Sequence, residues 1–89
     1  MQIVGLPLLN DAIRQHREAG PMLRAFHALV AAADWSGAAD LLATLPRSRQ
    51  DAAGGPWRLV LDHPPLTLRW SVHFAARLVV IDAISLEIP

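Results

Sequence analysis

The stretch from Thr67 to Phe74 constrains the fold of this chain more than any other, because apolar and polar residues alternate along it without exception. The apolar set is Leu68, Trp70, Val72 and Phe74, and the polar set is Thr67, Arg69, Ser71 and His73. Successive side chains of a strand point to opposite faces, so the pattern predicts a strand with one apolar and one polar face. An antiparallel sheet that is packed on one face and open to solvent on the other shows this alternation.

The alternating strand lies within a longer apolar segment, Trp57–Ile84, which predicts three successive strands. The segment is interrupted at His63-Pro64-Pro65 and again at Ala75-Ala76-Arg77. Proline has no N–H to give to a sheet ladder, so the first interruption should lie between strands. We therefore expect a three-stranded meander over residues 57–84, followed by a short tail over residues 85–89.

The first 46 residues predict one short strand and two or three helices, which would cover the apolar face of the sheet. Gln2–Gly5 is a short apolar run, and apolar residues recur at helical spacing on both sides of Gly20-Pro21. Glycine suits the end of one helix, and proline suits the start of the next. A short third helix is expected over Gly37–Leu45, with Ser36 as its N-cap and Pro46 after its end.

Residues 47–56 are polar, rich in glycine and without periodicity, so we expect a loop between the helical half and the meander. The predicted element order is β-α-α-(α)-β-β-β, in a single domain that spans residues 1–89. Helices that precede a run of strands are typical of the α+β class, in which the helices pack on one face of a mainly antiparallel sheet.

The composition excludes several kinds of site. The chain has 89 residues, no cysteine and a formal net charge of +0, so it has no thiolate ligands and no overall field that attracts nucleic acid or membrane. Its four histidines are not paired at helical spacing, which gives no sign of a metal site. The uncharged runs are too short to span a bilayer, and the first residues lack the basic region of a signal peptide. We expect a cytoplasmic protein without a membrane segment, a metal or another cofactor.

The strongest candidate site is a group of arginine and histidine residues on the predicted sheet. The chain has eight arginines and no lysine. Arg58 lies at the start of the meander, Arg69 and His73 share the polar face of its middle strand, and Arg77 lies in the next turn. Neighbouring strands lie about 4.8 Å apart, so Arg58 and Arg69 would form one patch if they shared a face. The alternative is that these arginines only keep an exposed sheet face soluble.

Residues in both halves of the chain resemble those of a known family. They are His16, Ala19, Leu23, Ala25-Phe26, Ala33-Asp34-Trp35, Ala39-Asp40 and Pro46 in the first half, and Arg58, Val60, Asp62, Leu68-Arg69, Val72 and Phe74 in the second. In the order and spacing of these residues, the sequence resembles the HigB toxins of type II toxin–antitoxin systems, which belong to the RelE/ParE superfamily. The resemblance runs from Met1 to about Ile84 and implies a RelE/ParE-like fold.

The resemblance also implies a function. HigB toxins are endoribonucleases, or mRNA interferases, that cleave mRNA on the ribosome without a metal and are neutralised by a cognate helix-turn-helix antitoxin of the HigA type. The 2′-hydroxyl of the RNA attacks the adjacent phosphate, so the protein must position the backbone, stabilise negative charge and move protons. Carried over to this chain, the resemblance implies Arg69 and His73 as catalytic residues. It implies Arg58, Arg69 and Arg77 as RNA-binding residues, with no metal ligands.

After Ile84 the sequence departs from the family. HigB toxins usually continue with a Gly-Thr-His…Glu-Tyr-Asp segment, whereas this sequence continues with Ser-Leu-Glu-Ile-Pro and contains no tyrosine. We therefore expect impaired catalysis. The alternatives are a non-nucleolytic toxin that binds a protein target, and a degenerate toxin whose only activity is to bind an antitoxin.

Overall fold

The computed structural model describes residues 1–50, 52–62 and 65–86. The elements are, in chain order, β1 (Gln2–Val4), α1 (Leu6–Gln15), a 3-10 turn (Arg17–Ala19), α2 (Gly20–Ala32), α3 (Ala38–Thr44), β2 (Arg49–Gln50), β3 (Trp57–Val60), β4 (Leu66–His73) and β5 (Leu78–Leu86). The helices precede all but one of the strands and pack against the sheet, which confirms the predicted α+β class.

The five strands form one mixed sheet in the order β1-β5-β4-β3-β2. The pairs β2–β3, β3–β4 and β4–β5 are antiparallel, and only the pair β1–β5 is parallel. The predicted meander is therefore present as β3, β4 and β5, and the sheet is mainly antiparallel as expected. In the part of the chain that the structure describes, no helix is long and apolar enough to cross a membrane.

Two of the predicted boundaries are wrong. Residues 47–56 were expected to be a loop, but Arg49–Gln50 forms β2 and pairs with Arg58 and Trp57 of β3. Two residues are too few to show an alternation, so the sequence carries no local signal for this strand. The last strand extends to Leu86, two residues beyond Ile84, because it pairs with β4 as far as Leu66. The rest of the expected tail, residues 87–89, and the predicted break at residues 63–64 lie outside the described residues.

The core lies between the helices and the apolar face of the sheet. Trp70, which the alternation predicts to be buried, is 0% exposed, and its ring packs edge to face with that of Phe26 at a centroid distance of 5.2 Å. Trp57 is its cross-strand neighbour on β3 and is also buried. Trp35 closes the space between α2 and α3, where its Nε1 donates to the Thr44 hydroxyl at 3.0 Å. All three tryptophans are thus part of the hydrophobic core.

A β-bulge in β5 sets which side chains of that strand reach the core. Trp70 pairs with Ile81 and Arg69 pairs with Ala83, so Asp82 is an extra residue between two paired positions. A bulge of this kind shifts the alternation by one residue. For that reason Ile81 and Ile84 both pack towards the core, although an unbroken strand would direct them to opposite faces.

The start of α1 depends on glycine. Gly5 has a φ of 97°, and a Cβ at this position would lie 2.8 Å from the Ile81 carbonyl oxygen. A side chain here would be strained in its backbone and would also clash with β5. Glycine therefore lets the chain turn from β1 into α1 while it stays in contact with the sheet.

The start of α3 differs from the sequence prediction. Gly37, rather than Ser36, is the N-cap residue, and no side chain caps the helix. Ser36 instead donates from its backbone N–H and its hydroxyl to Asp40 Oδ2, at 2.9 and 2.7 Å. The backbone hydrogen bond from Ser36, followed by the hydroxyl bond, lowers the pKa of Asp40 below its ordinary value.

Candidate nucleic-acid interface

Three arginines form a row across neighbouring strands on the face of the sheet that lies opposite the helices. Arg58 pairs with Arg69 in the β3–β4 register and with Arg49 in the β2–β3 register. Directly paired residues of an antiparallel sheet project to the same face, at strand spacings of about 4.8 Å. The row therefore spans about 10 Å. We call Arg49, Arg58 and Arg69 the arginine row.

The three arginines of the row differ in exposure and in the interactions of their side chains. Arg69 is exposed, and its guanidinium forms no hydrogen bond or ion pair with any described residue. Arg58 is half-buried and makes an interaction of its own within the chain. Arg49 Nη1 donates to the carbonyl oxygens of Ser48 and Pro46, at 2.9 and 3.3 Å. These bonds use one nitrogen of a guanidinium that has five N–H donors.

His73 lies on the same face but not beside the row. It is the last residue of β4 and is exposed, and it pairs with Leu78 at the start of β5. It lies four positions along the strand from Arg69, which is about 13 Å at roughly 3.3 Å per residue. The structure therefore brings Arg58 and Arg69 together, while His73 stands apart on the same strand.

The space between Arg69 and His73 is occupied by Ser71 and Asp82. The Ser71 hydroxyl donates to Asp82 Oδ2 at 2.7 Å, which holds an exposed carboxylate over the polar face. Sequence reasoning missed Asp82 because only the bulge places it there, and a bulge leaves little trace in a short strand. It missed Arg49 because β2 has only two residues.

Arg77 is not part of the arginine row. It occupies the turn between β4 and β5 with a φ of 54°, and its Nη1 pairs with Asp34 Oδ1 at 2.8 Å. Asp34 follows the end of α2, so this ion pair ties the turn to the helical layer. Its proposed contact with RNA stays a prediction.

The polar face is cationic only over part of its area. On the β1–β5 side it carries Val4, which is 45% exposed, together with the half-buried Leu78 and Val80 that pair with β1. The described phenylalanine and tryptophan rings lie in the core or, in the case of Phe74, pack against it. A nucleic acid on this face would therefore meet guanidinium groups rather than stacking platforms.

The described residues contain no group of three or more histidine, aspartate or glutamate side chains placed to hold a metal ion. Comparison of the sequence with protein-family models and with curated proteins gave no match. The likeness to HigB toxins therefore stays a prediction from the residues quoted in the sequence analysis.

Proposed function

We propose that the chain is a HigB-like toxin whose open sheet face binds single-stranded RNA through the arginine row. The observation that carries this proposal is the direct cross-strand register of Arg49, Arg58 and Arg69. Guanidinium groups bind phosphates in a bidentate manner and remain charged at any physiological pH. A row of such groups suits a phosphate backbone that runs across the strands.

Cleavage would follow the metal-free course expected of the family. The 2′-oxygen bonds to the adjacent phosphorus and the 5′-oxygen leaves, so one group must accept the hydroxyl proton and another must return a proton to the leaving oxygen. Arg69 is an exposed cation that can stabilise the additional negative charge on the phosphate. His73 is the proposed imidazole for proton transfer. Asp82, which lies between them, is a second candidate for the base.

The distance between Arg69 and His73 favours a second candidate function. A base or acid must come within hydrogen-bond distance of the proton that it transfers, or act through one water. His73, about 13 Å along the strand from Arg69, reaches the phosphate held there only if the RNA extends along β4. A non-nucleolytic toxin that binds RNA or a protein target is therefore the alternative. Under either proposal one cellular partner is a HigA-like helix-turn-helix antitoxin. The nuclease would in addition act on mRNA on the cytoplasmic ribosome.

RNA binding is tested with a short labelled single-stranded oligoribonucleotide and fluorescence anisotropy. We expect Arg49→Gln/Arg69→Gln to weaken binding by about tenfold or more, because charge-assisted contacts to phosphate are lost. Arg17→Gln/Arg24→Gln makes the same change in net charge on the helical side and should leave the affinity unaltered. Equal losses in the two double variants, or no binding by the parent protein, would overturn the proposal. Arg77→Gln tests the remaining predicted RNA contact in the same assay.

Cleavage is tested by adding the purified protein to translating ribosomes and mapping the mRNA ends. If His73 transfers a proton, His73→Ala should reduce the rate by about 10²–10⁴-fold with little change in RNA affinity. If Asp82 is the base instead, Asp82→Asn should show that loss. Binding without cleavage by the parent protein would select the non-nucleolytic alternative.

A further inference from the structure

A second group of arginines lies on the helical side of the molecule, where α1, the 3-10 turn and α2 meet. Arg14, Arg17 and Arg24 come from these three elements and, with Ile13, line a surface depression of about 460 Å³. We call this depression the helix-side pocket. Neither the resemblance nor the arginine row accounts for it.

The pocket has an apolar floor and guanidinium walls. Ile13 is half-buried, and the Arg24 side chain turns back over the start of α2, where its Nη1 lies 3.1 Å from the position of a Cβ on Gly20. Long side chains of a helix lean towards its N-terminus, and glycine at position 20 leaves room for the guanidinium. The pocket is thus formed by the packing of α1 against α2.

Two of the three arginines have no partner within the described chain. Arg14 forms an ion pair with Asp11 on the same helix. The side chains of Arg17 and Arg24 are exposed and make no ion pair or hydrogen bond with any described residue. Two guanidinium groups therefore face the solvent across an apolar floor.

We propose that the helix-side pocket binds an acidic amphipathic peptide segment of a partner protein. Each guanidinium can take one carboxylate in a bidentate contact, and the Ile13 floor can take an aliphatic side chain between two such carboxylates. Acidic residues three or four positions apart on a helix have their side chains about 5–6 Å apart on one face. This proposal goes beyond the proposed function and does not depend on whether the sheet binds RNA.

The charges around the pocket favour a peptide over nucleic acid. Asp11 and Glu18 lie beside Arg14 and Arg17 in the depressions that adjoin the pocket. Three arginines against two acids leave a local excess of one positive charge, which is small for a continuous chain of phosphates. The lining of the pocket has no aromatic ring on which a base could stack.

The test uses the full chain and a synthetic helical peptide with glutamates at i and i+4 and leucine at i+3, labelled for fluorescence anisotropy. A matched peptide carries glutamine in place of both glutamates. We expect the glutamate peptide to bind at least about tenfold more tightly than the glutamine peptide, and Arg17→Gln/Arg24→Gln to abolish that difference. Arg17→Lys/Arg24→Lys keeps the charge but loses the forked geometry, so it should retain only part of the difference.

Arg49→Gln/Arg69→Gln is the control, because it removes two arginines of the sheet face and should leave peptide binding unchanged. The proposal is overturned if the two peptides bind equally, or if the control variant loses as much affinity as the pocket variant. It is also overturned if the pocket variant loses affinity for an oligoribonucleotide instead of the peptide. Circular dichroism of each variant establishes that it is folded before binding is compared.

Discussion

At the scale of single residues, the open face of the sheet carries side chains of opposite charge. Arg69 is an exposed cation, whereas Asp82 holds a carboxylate on the same face through the Ser71 hydroxyl. A carboxylate near a phosphate site repels the ligand, and a role as the base in the reaction would offset that cost. Substitution of Asp82 therefore distinguishes a face that only binds RNA, where the carboxylate repels the ligand, from a face that also cleaves RNA, where the carboxylate is the base.

Trp70 is the residue on which the packing of sheet against helices most depends. It is 0% exposed and contacts Phe26 edge to face. Trp70→Ala would leave a large cavity, at a cost of about 3–5 kcal/mol in the free energy of unfolding. Small domains have about 5–15 kcal/mol in total, so thermal melting should show a largely unfolded or strongly destabilised protein.

Trp70→Phe is the matched control for this substitution. The Trp70 Nε1 is buried and has no hydrogen-bond partner among the described residues. Phenylalanine keeps a ring against Phe26 and removes an N–H that makes no bond, so it should be much less destabilising than alanine. An alanine variant that melts within a few degrees of the parent protein would contradict the position of Trp70 in the core.

At the scale of elements, the bulge in β5 predicts that two single-residue deletions have opposite effects on folding. Removing Asp82 would leave Ile81 opposite Trp70 and Ala83 opposite Arg69, so the pairs on both sides of the bulge are kept. Removing Ser71 from β4 would instead turn Val72 and His73 to the opposite faces. We expect the Asp82 deletion to fold and the Ser71 deletion to unfold, as judged by circular dichroism and thermal melting. Similar stability of the two deletions would contradict the assigned register.

The start of α3 predicts a dependence of stability on pH. The pKa of Asp40 is lower in the folded chain than its ordinary value of about 3.9, because Ser36 donates hydrogen bonds to the carboxylate. A depressed folded pKa gives a stabilisation that is present above the unfolded pKa and is lost as the pH falls through the folded pKa. Asp40→Ala should therefore lower the melting temperature at pH 6, and the difference from the parent protein should shrink below about pH 4. A difference that is constant between pH 6 and pH 3 would contradict the charged hydrogen bond.

The elements also show what the sequence could predict. The period-2 pattern of residues 67–74 predicted β4, its core face and the burial of Trp70, because a long alternation has only one consistent placement. It predicted that Arg69 and His73 share a face, and the register then placed Arg58 there. The residues that were missed, Arg49 and Asp82, depend on a two-residue edge strand and on a bulge. Both features are decided by pairing with a neighbouring strand and have almost no local signature.

At the scale of the whole molecule, the eight arginines divide into groups with different surroundings. Arg47 and Arg77 pair with Asp62 and Asp34 outside both cationic surfaces. The other six belong to the arginine row or the helix-side pocket, and of these Arg14 pairs with Asp11. The formal net charge of +0 conceals this division. Composition alone could not have revealed two separate cationic surfaces, because it carries no information on which residues share a face.

The division of charge makes a final prediction, which concerns the salt dependence of RNA binding. Each phosphate contact to a single strand contributes a slope of about −0.7 in a plot of log K against log salt concentration, so three contacts give about −2. Arg49→Gln/Arg69→Gln should reduce the magnitude of the slope by about 1.4. Arg17→Gln/Arg24→Gln removes the same charge from the other side of a molecule whose smallest dimension is 19 Å. Screening reduces interactions beyond about 10 Å at 0.1 M salt, so this variant should keep the parent slope.

Titrations of a labelled oligoribonucleotide between 0.05 and 0.3 M salt, roughly the range in which such slopes are measured, provide the comparison. Equal slopes for the two double variants would mean that overall charge, and not the arginine row, governs binding.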